Sequence, residues 1–255
     1  CCWPAGAFPP PQRTLHMQAN NKRCLVEKRG DKATATVTTS SDTVPHPPPG
    51  HIQVRVAAAG IAFADCLQRC GLYPGSPPEP YTPGYDACGT VTALGDDVEG
   101  FAVGDRVAML CVWGAASQFL NFPVNSPSKP HGTKSMPWGG AAHIAKVPSS
   151  LKSRGDGEVV SLVLNYVTAY QMLHSIGNIP TSTQPGDSQK SILIHGAAGG
   201  VGTALLELGR AAGVRCIGTC SGGAKTAVVE GLGGEVIDYT KEDFVARVRE
   251  MTGGG

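Results

Sequence analysis

Apolar and polar residues follow two different rhythms along this chain. Up to about residue 112 the apolar positions come in short runs bounded by Gly, Pro and Asp. "IQVRVAAA" at 52–59 alternates before running apolar, and "CGTVTALG" and "GDRVAMLCV" follow with similar spacing, which predicts strands of a half-buried sheet. Another strand is predicted near Arg23 to Glu27, and a helical turn over "FADCLQRCG". Beyond residue 156 the pattern changes. "SLVLNYVTAYQMLHSIG" reads as one apolar helix closing at Gly177. After it strands and helices alternate: "SILIHG" is a buried strand, "GTALLELGRAAG" a helix ending on Gly213 and "VRCIGTC" the next strand. "AKTAVVEGLGG" is helical, "EVIDY" a strand, and "KEDFVARVREMTGG" a helix. Such βαβαβα alternation imposes right-handed crossovers and a parallel sheet whose carboxyl edge binds nucleotides. The fold class is therefore α/β, with a small β-rich, barrel-like domain over 23–155 and a doubly wound domain over 156–255.

Two stretches break the pattern. Residues 1–22, "CCWPAGAFPPPQRTLHMQANNK", have no periodic apolar face and read as a disordered tail. Residues 113–137 carry several prolines and read as an exposed insertion; "VWGAAS" at its start is nearly repeated by "PWGGAAH" at its end.

At 255 residues and 41% apolar, the chain can bury a sizeable core. A formal net charge of +1 calls for neither nucleic acid nor an anionic membrane as partner, and a small-molecule ligand fits better. No apolar run approaches the roughly 20 residues of a membrane span, so a cytoplasmic protein is expected. The nine cysteines, including the pairs Cys66/Cys70 and Cys216/Cys220, show no metal-binding framework and read as reduced thiols.

Residues 195–202, "HGAAGGVG", lie between a predicted strand and a helix, where backbone N–H groups and the helix dipole face an incoming pyrophosphate. The loop Ala197, Ala198, Gly199, Gly200, Val201, Gly202 gives A-x-G-x-x-G instead of G-x-G-x-x-G. Gly199 lets the phosphate approach and Gly202 lets the helix pack close to the strand. A ribose-binding acid belongs at the end of the second strand, yet Thr219, Cys220 and Ser221 stand there, with Lys225 as the next ionisable residue. That neutral, hydroxyl-bearing end followed by a lysine suits a 2′-phosphate and argues for NADP over NAD. Lys225 as an ordinary solvated helix residue is the alternative.

"GLYPGSPPEPYTPGYDACGTVTALGDDVEGFAVGDRVA", "NYVTAYQML" and "HGAAGGVGTALLELGRAAG" occur in the order found in the zinc-independent medium-chain dehydrogenases/reductases of the quinone oxidoreductase (zeta-crystallin-like) type, which this chain resembles over about residues 23–255. The resemblance implies a GroES-like catalytic domain on a Rossmann domain, with the substrate between them. It also implies that Tyr73 supplies a proton, that Ala62, Phe63 and Leu67 shape the substrate pocket, and that Thr168 and Tyr239 flank NADPH. Zinc-using relatives carry a Cys at the position of Ala62 and Gly-His-Glu at "GYD", where this chain has Tyr85 and Asp86; no zinc is therefore expected. Ala62 and Leu67 replace an Asn and a Tyr common in the family, which makes the pocket more apolar.

Lacking a Lewis acid, such a site favours reduction of an electron-poor quinone or α,β-unsaturated carbonyl over alcohol oxidation. An enoyl-thioester reductase and a non-catalytic NADPH-binding protein are the alternatives. Only three strands of the six in a full dinucleotide sheet are counted, so the chain is expected to be a fragment with little turnover of its own, and the full-length protein to pair as a homodimer.

Overall fold

The computed structural model describes residues 20–31, 34–44, 46–124, 143–181 and 190–254. Five antiparallel strands form the first sheet: β3 (His51–Ala59), β4 (Asp86–Leu94), β5 (Arg106–Leu110), β6 (Phe119–Pro123) and β7 (His143–Lys146), in the order β6-β3-β4-β5-β7. Alternation along β3 turns Ile52 and Val54 inward, where they meet Val91, Val107, Met109 and Phe122. A separate hairpin, β1 (Asn20–Lys28) with β2 (Thr36–Thr43), meets the segments beside the sheet through isolated bridges from Arg23 to Ser117 and Val26 to Tyr81. Helix α1 (Phe63–Cys70) follows β3 and ends on Gly71, whose φ of 74° is the left-handed cap that glycine adopts without strain.

Several expectations change here. Strand β1 starts at Asn20, so residues 20–22 belong to the hairpin, not to the tail; residues 1–19 lie outside the described residues. The insertion does not begin at 113. Ala115 and Phe122 are buried, and β6 pairs with β3 from His51↔Pro123 to Arg55↔Phe119, because "FLNFP" supplies aromatic and aliphatic side chains to the core. Residues 125–142 lie outside the described residues.

The helix expected over 161–177 is broken into α2 (Asp156–Ser161), α3 (Leu164–Tyr170) and a π-helical turn (Gln171–Ile176). The break has a tertiary cause: the Leu164 N–H is taken by Asp86 Oδ2 of β4 at 3.0 Å. Helix α2 lies past the expected domain boundary yet packs on the barrel, its Val159 and Val160 against Cys88.

The second sheet is parallel, in the order β10-β9-β8, with β8 (Ser191–His195), β9 (Arg215–Cys220) and β10 (Glu235–Asp238). Helices α4 (Gly200–Ala211), α5 (Ala224–Gly231) and α6 (Phe244–Thr252) connect and follow them. Ile194, Ala204, Leu206, Cys216 and Val229 form its core, with Ala169 and Leu173 of the interdomain helix packed in.

Arg106 ties the barrel to α2. Its guanidinium donates to Asp156 Oδ1 and to the carbonyls of Leu151 and Arg154, and the buried Cys88 thiol donates to the same Asp156 oxygen at 3.4 Å. Burial pushes the Cys88 thiol up to about 11, which keeps it a donor, while Arg106 holds the Asp156 carboxyl below the usual carboxylate range. A depressed folded-state value means that Asp156 stabilises the fold above its unfolded value of about pH 4 and loses that contribution as pH falls through the depressed value. Asp156→Asn should therefore cost about 1 kcal/mol at pH 7 and flatten the acid side of the stability profile. Urea midpoints from pH 7 down to pH 3 check this; parallel profiles for the two proteins would overturn it.

Candidate active site

The loop after β8 turns at Gly196, where φ is 65°, and Gly199 forms the N-cap of α4 without any side-chain cap. The first N–H groups of a helix have no intrahelical partner, so this end offers donors to an anion. The close approach is enforced by glycine. A Cβ at Gly202 would stand 2.6 Å from Gly196 O and 2.7 Å from Ala197 Cα, whereas one at Gly199 would meet only Gly196 O at 3.2 Å. Ala197 is fully buried beside Gly218, and Ala198 is half-buried. Gly196, Gly199, Gly200 and Val201 line a cleft of about 380 Å³ with Met172 and His195. From α3, the Asn165 amide lies against Gly200, and Thr168 is half-buried on the same helix.

At the end of β9, Lys225 Nζ donates to Ser221 Oγ at 3.0 Å. Tyr239 is about half exposed just beyond β10. Thr219 differs from the expectation of a ligand-facing residue: it is 2% exposed and its hydroxyl lies 3.2 Å from His195 Nδ1. Pleating turns it into the sheet. His195 also stacks edge-on against Phe244 at 5.1 Å, a strand-end packing position.

The sequence reading missed Asp238. Parallel pairing of Asp238 with Cys220 brings the end of β10 to the edge where β9 ends, and a Cβ on Gly222 would collide with the Asp238 carboxylate. That carboxylate accepts from Thr240 Oγ1 at 2.6 Å and pairs with Lys241 at 3.2 Å; Thr240 foremost holds its carboxyl below the usual range. Parallel neighbours end at the same edge, so placing the end of β10 beside that of β9 would have found it.

On the barrel side, Asp65 of α1 is buried and accepts from the Ala62 N–H at 2.8 Å and the Gly84 N–H at 2.9 Å. This fixes the start of α1 against the turn before β4. Ala62 and Leu67 are half-buried, and Phe63 is 77% exposed, so an apolar surface runs along this helix. The Tyr73 hydroxyl lies 2.8 Å from that of Tyr85, the rings meeting edge to face at 6.2 Å. Next to Tyr85, Asp86 is 4% exposed and burial pushes its carboxyl up. The two regions are linked through α3, which begins on Asp86 and lies on the glycine loop at Asn165.

Gly202→Ala should lower stability by about 1–3 kcal/mol, because every atom it would strike is backbone, while Gly199→Ala should cost less. Thermal unfolding of the two variants checks the order; equal losses would overturn it.

The alcohol dehydrogenase GroES-like domain family matches residues 48–153. The synaptic vesicle membrane protein VAT-1 homolog of Rattus norvegicus is 34% identical over 212 residues, covering 83% of this chain and 46% of that protein. A probable quinone oxidoreductase of Schizosaccharomyces pombe is 33% identical over 236 residues, covering 92% of this chain and 62% of that protein. Among solved structures, Escherichia coli quinone oxidoreductase complexed with NADPH is similar at a TM-score of 0.73 and 28% identity, over 91% of this chain and 63% of that one. The chain thus spans roughly half to three fifths of the length of these relatives. No helix among the described residues is long and apolar enough to cross a membrane. With its barrel, its glycine-loop βαβ unit and these relatives taken together, the chain is similar to medium-chain dehydrogenases/reductases of the quinone oxidoreductase type.

Proposed function

We propose that this chain carries the cofactor and substrate groups of an NADPH-dependent reductase acting on an electron-poor small molecule, a quinone or an α,β-unsaturated carbonyl. The observation that supports it most is the uncapped start of α4, approached by glycine backbone and followed, just beyond the next strand, by Ser221 and by Lys225 of α5. These residues fit a dinucleotide. The first-turn N–H groups of α4, with Ala198, Gly199, Gly200 and Val201, would hold the pyrophosphate, and the exposed Lys225 ammonium with Ser221 would hold the 2′-phosphate beside Tyr239. Asp238 does not oppose this, because Thr240 and Lys241 already engage its carboxylate. Thr168 would flank the cofactor from α3.

Bound NADPH supplies a hydride. Ala62, Phe63 and Leu67 give the substrate an apolar wall that excludes water, and the Tyr73 hydroxyl delivers a proton to the oxygen or carbon that becomes electron-rich on reduction. The exposed Ile61, Phe63 and Leu72 around α1 favour, as a second reading, a long acyl chain on an enoyl thioester. The chemistry is read as zinc-independent. Ala62 has no donor atom, the Tyr85 hydroxyl is paired with Tyr73, and the Asp86 carboxylate is spent on Leu164 N–H. No group of three His, Cys, Asp or Glu among the described residues could hold a metal ion. By resemblance, the protein would work as a homodimer.

The cofactor reading is tested by dissociation constants. The protein should bind NADPH more tightly than NADH, and Lys225→Ala should weaken NADPH about tenfold while sparing NADH, at the lower end of a charge-assisted contact because Lys225 is exposed. The preference should shrink as salt rises. Preference for NADH would overturn the reading. NADPH oxidation with quinones, enones and acyl thioesters then separates the substrate classes.

Elemental analysis should find no stoichiometric zinc after purification. About one zinc per chain surviving chelator dialysis would sink the zinc-independent reading.

A further inference from the structure

Tyr85 has no assigned task, yet it is held more firmly than the tyrosine it touches. It is 7% exposed, and its carbonyl accepts from the N–H groups of Cys111 at 2.7 Å and Val112 at 3.0 Å. Val112 is a β-branched residue at a φ of 66°, a left-handed conformation that persists only where its surroundings impose it. Here the surroundings are Tyr85 on one side and Gln68 of α1 on the other. The Gln68 amide, 1% exposed, donates to Val112 O at 3.3 Å. The preceding Gly84 has a φ of 107°, and its N–H is taken by Asp65. Backbone from the end of β5 and side chains from α1 therefore fix Tyr85 in place, with its hydroxyl 2.8 Å from that of the more accessible Tyr73.

We propose that Tyr85 is the positioning residue for Tyr73: its hydroxyl donates to Tyr73 Oη, orients that phenol, and stabilises the phenolate left when Tyr73 gives up its proton. This rests on the reading of Tyr73 as proton donor. The step balances without another reactant. Hydride addition leaves an electron pair on the reduced substrate, the proton passes from Tyr73 Oη to that pair, and the negative charge stays on Tyr73 until solvent returns a proton. Tyr85 keeps its own proton throughout. Burial, the shared hydrogen bond and the nearby Asp65 carboxylate all push its ionisation up. The ionisable groups around the pair are Asp65 from α1, Asp86 at the start of β4 and Cys111 after β5. Of these, the Asp65 carboxylate bears on Tyr85, while the Cys111 thiol is pushed up by burial and by Asp86.

The test deletes one hydroxyl and keeps the ring, Tyr85→Phe, in the full chain labelled with ¹³C at tyrosine Cζ. The Tyr73 resonance is assigned by its loss in Tyr73→Phe. Ionisation of Tyr73 should move up by about one pH unit in Tyr85→Phe, the size of a charge-assisted hydrogen bond lost from the phenolate. Reciprocally, Tyr85 should ionise at lower pH in Tyr73→Phe, which keeps the proposal testable if Tyr85→Phe folds poorly. An unchanged Tyr73 titration, or an unchanged Tyr85 titration in the reciprocal variant, overturns it. The NMR result stands apart from turnover. Reduction by Tyr73→Phe at the wild-type rate would overturn Tyr73 as donor and leave the hydroxyl coupling intact, whereas a coupled pair with slowed turnover and unchanged KM in Tyr85→Phe supports both.

Discussion

Asp86 sits where a carboxylate is expensive, out of water between the two halves of the molecule, and what offsets that expense organises the rest. One of its oxygens accepts the Leu164 N–H at the start of α3, so the charge rests against the positive end of a helix. Another lies so close to Gly60 that a side chain there would collide with it. A single group thereby fixes the exit of β3, the entry of β4 and the beginning of α3. From that beginning, Asn165 reaches Gly200 and Ala169 enters the core of the parallel sheet. The glycine loop and the tyrosine pair belong to different sheets, and their relative placement runs through this one carboxylate.

Its neighbour across the same junction behaves in the opposite sense. Asp156 is charge-paired and held low, while Asp86 is desolvated and held high. A raised folded-state value means that the contribution of Asp86 is most favourable below its unfolded value and diminishes as pH rises through the folded one. The interdomain junction thus contains one carboxylate whose contribution fades as pH falls below the unfolded carboxylate value and one whose contribution fades as pH rises above it, two windows that lie on opposite sides of that value and do not cancel.

What was legible in the sequence was whatever depends on neighbours in the chain. The alternation of β3, the capping glycine after α1, the βαβ rhythm from Ser191 onward and the glycine loop all follow from local period and turn chemistry. What was not legible depends on partners far away. Strand β2 is almost wholly exposed and, apart from an exposed Val37, made of Thr, Ser and Asp, so it carries no buried face for a pattern to reveal. Strand β6 hides in a proline-rich stretch and forms because β3 offers it an edge. The break between α2 and α3 is made by a residue of the barrel. Of the candidate site, the loop, Ser221 and Lys225 could be placed from sequence, but the partner of Tyr73 could not, because the contact requires the turn before β4 to fold back on the segment after α1.

Asp238 shows how such a long-range contact bears on cofactor choice. A carboxylate at the edge of a dinucleotide sheet normally favours a free ribose hydroxyl and repels a 2′-phosphate. Here that charge is paired with Lys241 and bonded to Thr240, both from its own turn, while Lys225 on the facing helix touches only a neutral hydroxyl among its described hydrogen bonds. The local balance at the edge is one compensated acid and one base without a carboxylate partner among the described residues. Electrostatic preference follows the uncompensated charge, since the field of a paired acid falls off faster with distance than that of a single cation. On the proposed cofactor reading, the acid near β9 therefore does not restore a preference for the unphosphorylated ribose.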